Sequence, residues 1–437
     1  HKFSSRLNFN ISGHYTYGRG YFEQFREDDD FSTYNLSPVI AGTDTTSTTD
    51  LIRRRWLDNH FYGTVYSLNF NNSKGFELSV GGAANAYEGD HFGETIWARF
   101  ASDSEIRDRY YENDAKKSEF GNYIKASFKK NKLTYFADFQ HRYINYRFLG
   151  QSSINGAVVP VNRTVQYNFL NPKVGVSMSI NNNSTLYASL GISNREPVRG
   201  DFTETSVNSQ PLPEQLQNLE AGYRLKKKNV FLNANFYFMN YDNQLVLTGQ
   251  INDVGASTRT NVKKSYRTGV ELETGILIGK KFSLGANLTV SRNKLPSFTE
   301  YVDDFDNGGQ VKTTHTNTDI SFSPSIITGA FFTWIPLKGL KMSLLPKFVG
   351  DQFLDNTSDQ ARKINSYFIT HFRAHYSFKT KVFKELNLGL QVNNIFNYMY
   401  ENNGYTWGYI SGGEHVKENF YFPQAGRNFL INLVAKF

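Results

Sequence analysis

The residues nearest to a catalytic set are His371, Arg373, His375 and Ser377, which alternate along one segment near the C-terminal end. Nucleophilic chemistry needs a base within hydrogen-bonding reach of the nucleophile and a third group to orient that base. The chain has no GxSxG, HExxH, phosphate-binding loop or CxxC to supply such a set. Polar side chains on one strand face are satisfied as well by water or by a neighbouring domain, so no catalytic residue is assigned. Asp303-Asp304-Phe305-Asp306-Asn307-Gly308 has the carboxylate density of a calcium loop but lacks the further ligands and the distal Glu. It reads as a solvated acidic loop, as does Asp28-Asp29-Asp30. No metal and no cofactor is implied.

Binding chemistry is better represented. Arg55 and Trp56 (in the run Arg53-Arg54-Arg55-Trp56), His91, Trp97, Arg195, Arg199, Tyr405, Trp407 and His415 fall in loops or near strand ends. Arginine with aromatics suits an anionic or flat conjugated ligand, through bidentate hydrogen bonds and stacking. Any one of these aromatics could equally be packing a loop or belong to an interfacial girdle.

The elements that must carry them have a period of two. From Arg427 onward, Phe429, Ile431, Leu433, Ala435 and Phe437 share one face, and Asn428, Asn432 and Lys436 the other. Leu386, Leu388, Leu390 and Val392 alternate with Asn387, Gly389, Gln391 and Asn393 in the same way. Such alternation predicts strands with one apolar and one polar face. About sixteen are predicted, near 5–26, 51–70, 75–98, 117–129, 133–148, 165–180, 184–194 and 215–226, then 229–248, 259–278, 281–293, 319–334, 340–352, 364–379, 385–397 and 427–437. No helix pattern interrupts them. Short polar turns such as Asn71–Lys74, Gly279–Lys280 and Lys338–Gly339 alternate with long loops near 27–50, 99–116, 149–163, 195–214, 249–258, 294–318, 353–363 and 398–426. Short periplasmic turns and long extracellular loops are the pattern of an up-and-down membrane barrel with both termini on the periplasmic side.

Composition agrees. Aromatics make up 16% of the 437 residues, mean hydropathy is −0.50, and no apolar run is long enough for a spanning helix. A spanning strand needs only ~10 residues, alternately apolar, so a polar average is compatible with a greasy exterior. The net charge of +8 is spread over turns and polar faces, which argues against nucleic-acid binding. In Arg267, Glu271 and Glu273, set against Val270, Leu272 and Thr274, charges at period two would be costly in lipid, so their parity marks the lumen. The fold class expected is all-β: an antiparallel transmembrane barrel over 1–437 as one domain. A large soluble β-helix or a pair of sandwiches is the alternative.

Particular stretches resemble TonB-dependent outer-membrane receptors. They are Tyr421-Phe-Pro-Gln-Ala-Gly-Arg-Asn-Phe-Leu-Ile-Asn-Leu-Val-Ala-Lys-Phe437, Val392-Asn-Asn-Ile-Phe-Asn-Tyr-Met-Tyr400, Ser193-Asn-Arg-Glu-Pro-Val-Arg199 and Leu51-Ile-Arg-Arg-Arg-Trp-Leu-Asp-Asn-His-Phe-Tyr-Gly63. Such receptors have an N-terminal plug and about 22 strands. The resemblance therefore implies the C-terminal part of such a barrel, with plug and first strands missing.

It further implies active uptake, powered through the TonB complex, of a scarce nutrient across the Gram-negative outer membrane. An iron complex, as a ferric siderophore or haem, is the first expectation; cobalamin or an oligosaccharide is the alternative. The lumen residues Arg267, Glu271, Glu273, His371 and Arg373 would then face the plug. Ile431, Leu433 and Phe437 would serve as the signal read by the barrel assembly machinery through strand addition, and outer-membrane lipid and lipopolysaccharide would surround the wall. Sixteen strands alone would equally make a passive porin, and long loops would suit an adhesion barrel.

Overall fold

The computed structural model describes residues 1–154, 157–203, 210–251 and 257–437. The central parts of three expected long loops, at 155–156, 204–209 and 252–256, lie outside the described residues.

Sixteen wall strands follow one another in an antiparallel meander: β1 (Leu7–Asp30), β2 (Thr48–Asn71), β3 (Phe76–Ala98), β4 (Arg109–Lys130), β5 (Leu133–Ile154), β6 (Arg163–Asn181), β7 (Ser184–Arg195), β8 (Glu214–Lys226), β9 (Val230–Ile251), β10 (Ser257–Ile278), β11 (Phe282–Asp304), β12 (Ile326–Trp334), β13 (Leu340–Val349), β14 (Tyr367–Phe378), β15 (Glu385–Asn393) and β16 (Asn428–Lys436). Each pairs with the next. Among the described residues β1 is paired only with β2, and β16 only with β15.

The register carries one parity around the sheet. Val80 lies opposite both Leu68 and Ile124, Ile124 opposite Phe139, and Leu272 opposite both Ala234 and Leu288. Leu388 opposes Leu433 at the far end. These residues form an apolar belt about ten residues tall, the height a spanning strand needs. On β3 it runs from Phe76 to Ala86 and stops where Glu88 and Asp90 take the same parity. Phe76, Phe128 and Tyr135 lie along its lower edge and Tyr15, Tyr62 and Tyr143 along its upper one, the arrangement of interfacial girdles. No helix of the described residues is long and apolar enough to cross a membrane. Within the belt there is no buried core. Apart from a break between β12 and β13 at Ala330 and Phe331, the backbone groups pair with one another in the ladder, which is what lipid requires.

Among the described residues the larger side-chain cores form above the belt. One joins Phe31, Tyr34 and Leu36 to Leu51, Tyr110 and Tyr111; another holds Val246, Val262, Leu295 and Ile320. The tall strands explain this, because β1–β5 and β9–β11 have 22–24 residues and rise well beyond the belt. β12–β16, at 9–12 residues, do little more than cross it.

Several boundaries differ from expectation. β4 starts at Arg109 rather than near 117, because its upper part buries Tyr110, Tyr111, Asn113 and Ala115 against other segments while Glu112, Asp114 and Lys116 are exposed, so the alternation of apolar and polar residues that marks a belt strand is lost. The expected strand at 319–334 is divided. Gln310–Asp319 turns back along the upper part of β11, and Phe322 (φ 50°) and Pro324 interrupt the chain before β12. The expected loops 294–318 and 398–426 are therefore mostly β-hairpin, the second built from Glu401–Ser411 and Glu414–Pro423. β15 stops at Asn393, where Asn394 and Asn397 turn left-handed. A short helix, Arg199–Thr203, does interrupt the strands, inside the loop after β7. At the short turns, Gly279 and Gly339 adopt positive φ of 61° and 89°, as tight reversals demand.

Candidate functional site: the concave wall and the extracellular loops

The polar parity faces the concave side of the sheet. Asn69, Ser79, Lys125, Asp138, Asn171 and Asn218, from six different strands, line one cavity of 820 Å³, which only an inward-curving face can enclose. On this face Arg267 donates to Asn293 (3.3 Å) and to Ser323 (3.0 Å). Glu271 and Glu273 lie opposite Thr289 and Asn287, and neither has an ion-pair partner among the described residues. Arg373 and His371 share the same parity on β14, and His371 Nδ1 accepts the backbone N–H of Asn394 at 3.2 Å. His375 and Ser377 are 3.4 Å apart.

Higher on the wall, the loop after β7 folds down onto β4 and β5. Glu196 accepts from Lys117 (2.7 Å) and from Arg142 (3.2 Å), while Arg142 also reaches Glu119 (2.7 Å). Burial pushes the Glu196 carboxyl up, but the Lys117 hydrogen bond, its backbone hydrogen bond and Arg142 outweigh it and hold it below the usual range. Arg199 donates to Asn113 at 2.6 Å, and Asp201 pairs with Arg259 at 2.9 Å. Arg195 stays exposed, 3.9 Å from Glu214. His91 is buried beside Tyr87 (3.2 Å) on the same face. Burial, then Arg199 and Arg55, bring its imidazole down to about 3, so it is neutral at physiological pH.

Neighbours in sequence are separated by the pleat. Arg55 points to the concave face, donating to the Tyr111 hydroxyl at 3.2 Å. Trp56 points the other way, stacked on Phe92 and donating to Glu94 at 2.9 Å. Trp97, opposite Ile52, shares that outer parity. The structure thus brings Arg55, His91 and Arg199 together and leaves Trp56 and Trp97 on the outside. Glu196 lies inside the stretch Ser193–Arg199 and Asp201 two residues beyond it; these carboxylates, spaced beside Arg195 and Arg199, were the available signal for what holds the loop.

A second cluster stands above the short strands. On the hairpin 401–423, Tyr405 stacks on Phe420 at 4.7 Å, and Trp407 follows on the same face, 42% exposed. His415 lies opposite Ile410 on the other face, toward Arg362 of the loop 350–366. Arg362 is buried and bonded to both Glu300 and Asp355 at 2.6 Å, and Glu300 also meets His315 at 2.8 Å. The acidic loop is used internally as well: Asp306 accepts the backbone N–H groups of Gly412 and Gly413, both at 2.8 Å. At the C-terminus Ile431, Leu433 and Phe437 stand exposed by 73%, 62% and 79%, the first two on the belt parity.

A polar concave face, an apolar convex belt and strands that rise well beyond it together define a wall of a large membrane β-barrel. The family described as TonB dependent receptor-like, beta-barrel matches residues 1–395, and the chain belongs to that family. The match stops before the terminal block whose resemblance is the most specific in sequence.

No curated protein matches the sequence. Among solved structures, the ferric-catecholate import receptor Fiu from E. coli K12, in its closed form, is similar with 13% identity and a TM-score of 0.66, over 99% of this chain and 62% of that one. The siderophore receptor PiuA from Acinetobacter baumannii gives 14% and 0.69, over 100% and 63%. The copper transporter OprC gives 15% and 0.70, over 99% and 63%. At these identities the likeness is one of fold, and the chain spans about three-fifths of the length of these structures.

Proposed function

We propose that this chain forms the translocation wall and part of the ligand-binding surface of a receptor for TonB-coupled active uptake of an iron complex. The observation that carries the reading is the joining of Arg55, His91 and Arg199 on the concave face, higher on the wall than Glu271 and Glu273, which have no ion-pair partner among the described residues. Guanidinium groups and aromatics at the mouth suit an anionic, conjugated iron chelate. Free carboxylates deeper in the wall suit a plug that supplies cations. Energy comes from the inner membrane through TonB acting on that plug, and the outer membrane supplies none. The exposed apolar terminal strand with Phe437 is the segment the barrel assembly machinery adds to its own sheet.

Siderophore receptors among the similar structures support iron, while the similarity to a copper transporter keeps other metals as the rival cargo. The test is quenching of tryptophan fluorescence in the full-length parent protein by a ferric catecholate, ferric citrate and haem, beside a copper chelate and cobalamin. Saturable binding of an iron complex, weakened by Arg199→Ala, is expected. Binding of copper or cobalamin alone would overturn the iron reading, with the receptor reading intact.

A further inference from the structure

Among the described residues seven short turns close the wall at one end, from 72–75 between β2 and β3 to 379–384 between β14 and β15, and all but 182–183 carry lysine. The last holds Lys379, Lys381 and Lys384, and the turn after β8 holds Lys227 and Lys228. Together these turns contain ten lysines, no arginine and no carboxylate, while the whole chain has a net charge of +8, so everything outside them is slightly acidic. The ten are exposed, and none has an ion-pair partner among the described residues. At the other end of the wall Lys117, Arg142, Arg259, Arg362 and Lys417 are all paired.

The lysines stand directly below the apolar belt, and apolar side chains are exposed among them. Leu337 and Val382, inside two of the turns, are 51% and 74% exposed, and Phe282 stacks on Trp334 at the strand ends beside them. An apolar group in a turn surrounded by water gains nothing from its place. Beside a bilayer it enters the interface, the lysine stems lie along the same surface, and the ammonium groups reach outward. Because the lysines follow the wall from β2 to β15, the complementary surface is one that encircles it. The choice of lysine throughout matters too. A guanidinium fork selects one phosphate geometry, whereas an ammonium on a flexible stem is a point charge that answers to charge alone.

We propose that this rim binds the anionic phospholipid headgroups of the leaflet that meets the short turns, by charge and not by headgroup identity. The inference rests on the membrane placement of the wall, since only in a bilayer does a layer of headgroups surround it. Each ammonium held close to an anionic surface adds attraction, and that attraction falls off within a Debye length. The rim thereby fixes the lower edge of the belt at the headgroup plane.

The full-length parent protein is placed in phosphatidylcholine vesicles with a trace of lipid spin-labelled on one acyl chain, and electron spin resonance reads the share immobilised against the wall. Labelled phosphatidylglycerol should be immobilised several-fold more than labelled phosphatidylcholine, and labelled phosphatidylserine, of the same net charge, as much as phosphatidylglycerol. In ~1 M salt, where the Debye length is ~3 Å, the preference should disappear. A variant combining Lys227→Gln, Lys228→Gln, Lys379→Gln, Lys381→Gln and Lys384→Gln should lose most of it while keeping the heat-resistant migration of the barrel. Lys312→Gln, in the hairpin far beyond the belt, should leave it unchanged. Equal immobilisation of phosphatidylglycerol and phosphatidylcholine at low salt, a preference that survives the combined substitutions, or a preference for one anionic headgroup over the other would each overturn the proposal. A protein that immobilises no lipid of any kind would overturn the membrane placement with it.

Discussion

Asp58, Asp90 and Asp114 lie side by side in one register row on the outer parity, just above the apolar belt. Burial and then Asp114, with Asp58 and Glu112 adding to it, push the Asp90 carboxyl above its usual value. A folded-state value above the unfolded one means that Asp90 opposes folding at neutral pH, and that this penalty fades as pH falls through the folded value. Asp90→Asn should therefore raise the unfolding temperature at pH 7, with the gain vanishing in acid. A thermal scan in detergent at two pH values decides it; a lower unfolding temperature at pH 7 would show the carboxylate to be favourable.

Leu288 and Asn287 test the pleat at the same scale. Leu288 is on the belt opposite Leu272, so Leu288→Arg should cost ~2–4 kcal/mol if it lies near the bilayer midplane. Asn287, on the polar parity opposite Glu273, should accept arginine with little loss. Equal losses in urea-unfolding titrations into lipid vesicles would contradict the assignment of faces.

At the scale of elements, one buried guanidinium joins three segments beyond the belt. Arg362 comes from the loop 350–366, Glu300 from the top of β11, and His415 and Lys417 from the hairpin 401–423, where Lys417 pairs with Asp359 at 2.6 Å. Removing one partner of a buried ion pair strands the other charge and typically costs ~3–5 kcal/mol. Arg362→Met should make the hairpin 401–423 cleavable by protease on intact cells while the heat-resistant migration of the barrel is kept. Unchanged protease resistance would mean that the other contacts, among them Lys417 with Asp359, Asn419 with the Ala361 carbonyl and Asp306 with Gly412 and Gly413, hold the hairpin without the guanidinium. Topology is tested on the same elements. A single Cys at Asn403 should react with an impermeant thiol reagent on intact cells, and a single Cys at Asn182, in the turn between β6 and β7, should not.

At the scale of the whole molecule, the two terminal wall strands each keep one unpaired edge, which lipid does not tolerate. Residues 1–437 alone should then form no stable channel. Under the reading proposed above, a longer protein that carries this wall together with a plug should show little steady conductance in planar bilayers. Stable porin-like conductance from residues 1–437 by themselves would support the passive channel instead. The height of the wall fits the receptor: strands of 22–24 residues on one side and interlocked hairpins on the other raise a vestibule far above the belt.

The sequence by itself determined the belt. Lipid punishes a polar side chain on the outer face, so Leu386 to Val392 and Phe429 to Ala435 had to alternate, and both were legible with their faces and their short turns. Above the belt the outer face no longer meets lipid, and burial is set by whichever loop packs on the wall, so the apolar parity stops. For that reason the start of β4 at Arg109 and the strands at 310–319 and 401–423 could not be read. The candidate site was legible in kind, as arginines among aromatics. Period two already told Arg55 from Trp56, but it could not say which face was concave. That Arg199 comes to lie near Arg55 and the buried His91 was decided by tertiary structure alone. It depends on Glu196 finding Lys117 and Arg142, some 54–79 residues away in the chain, and such long-range pairing leaves no local pattern.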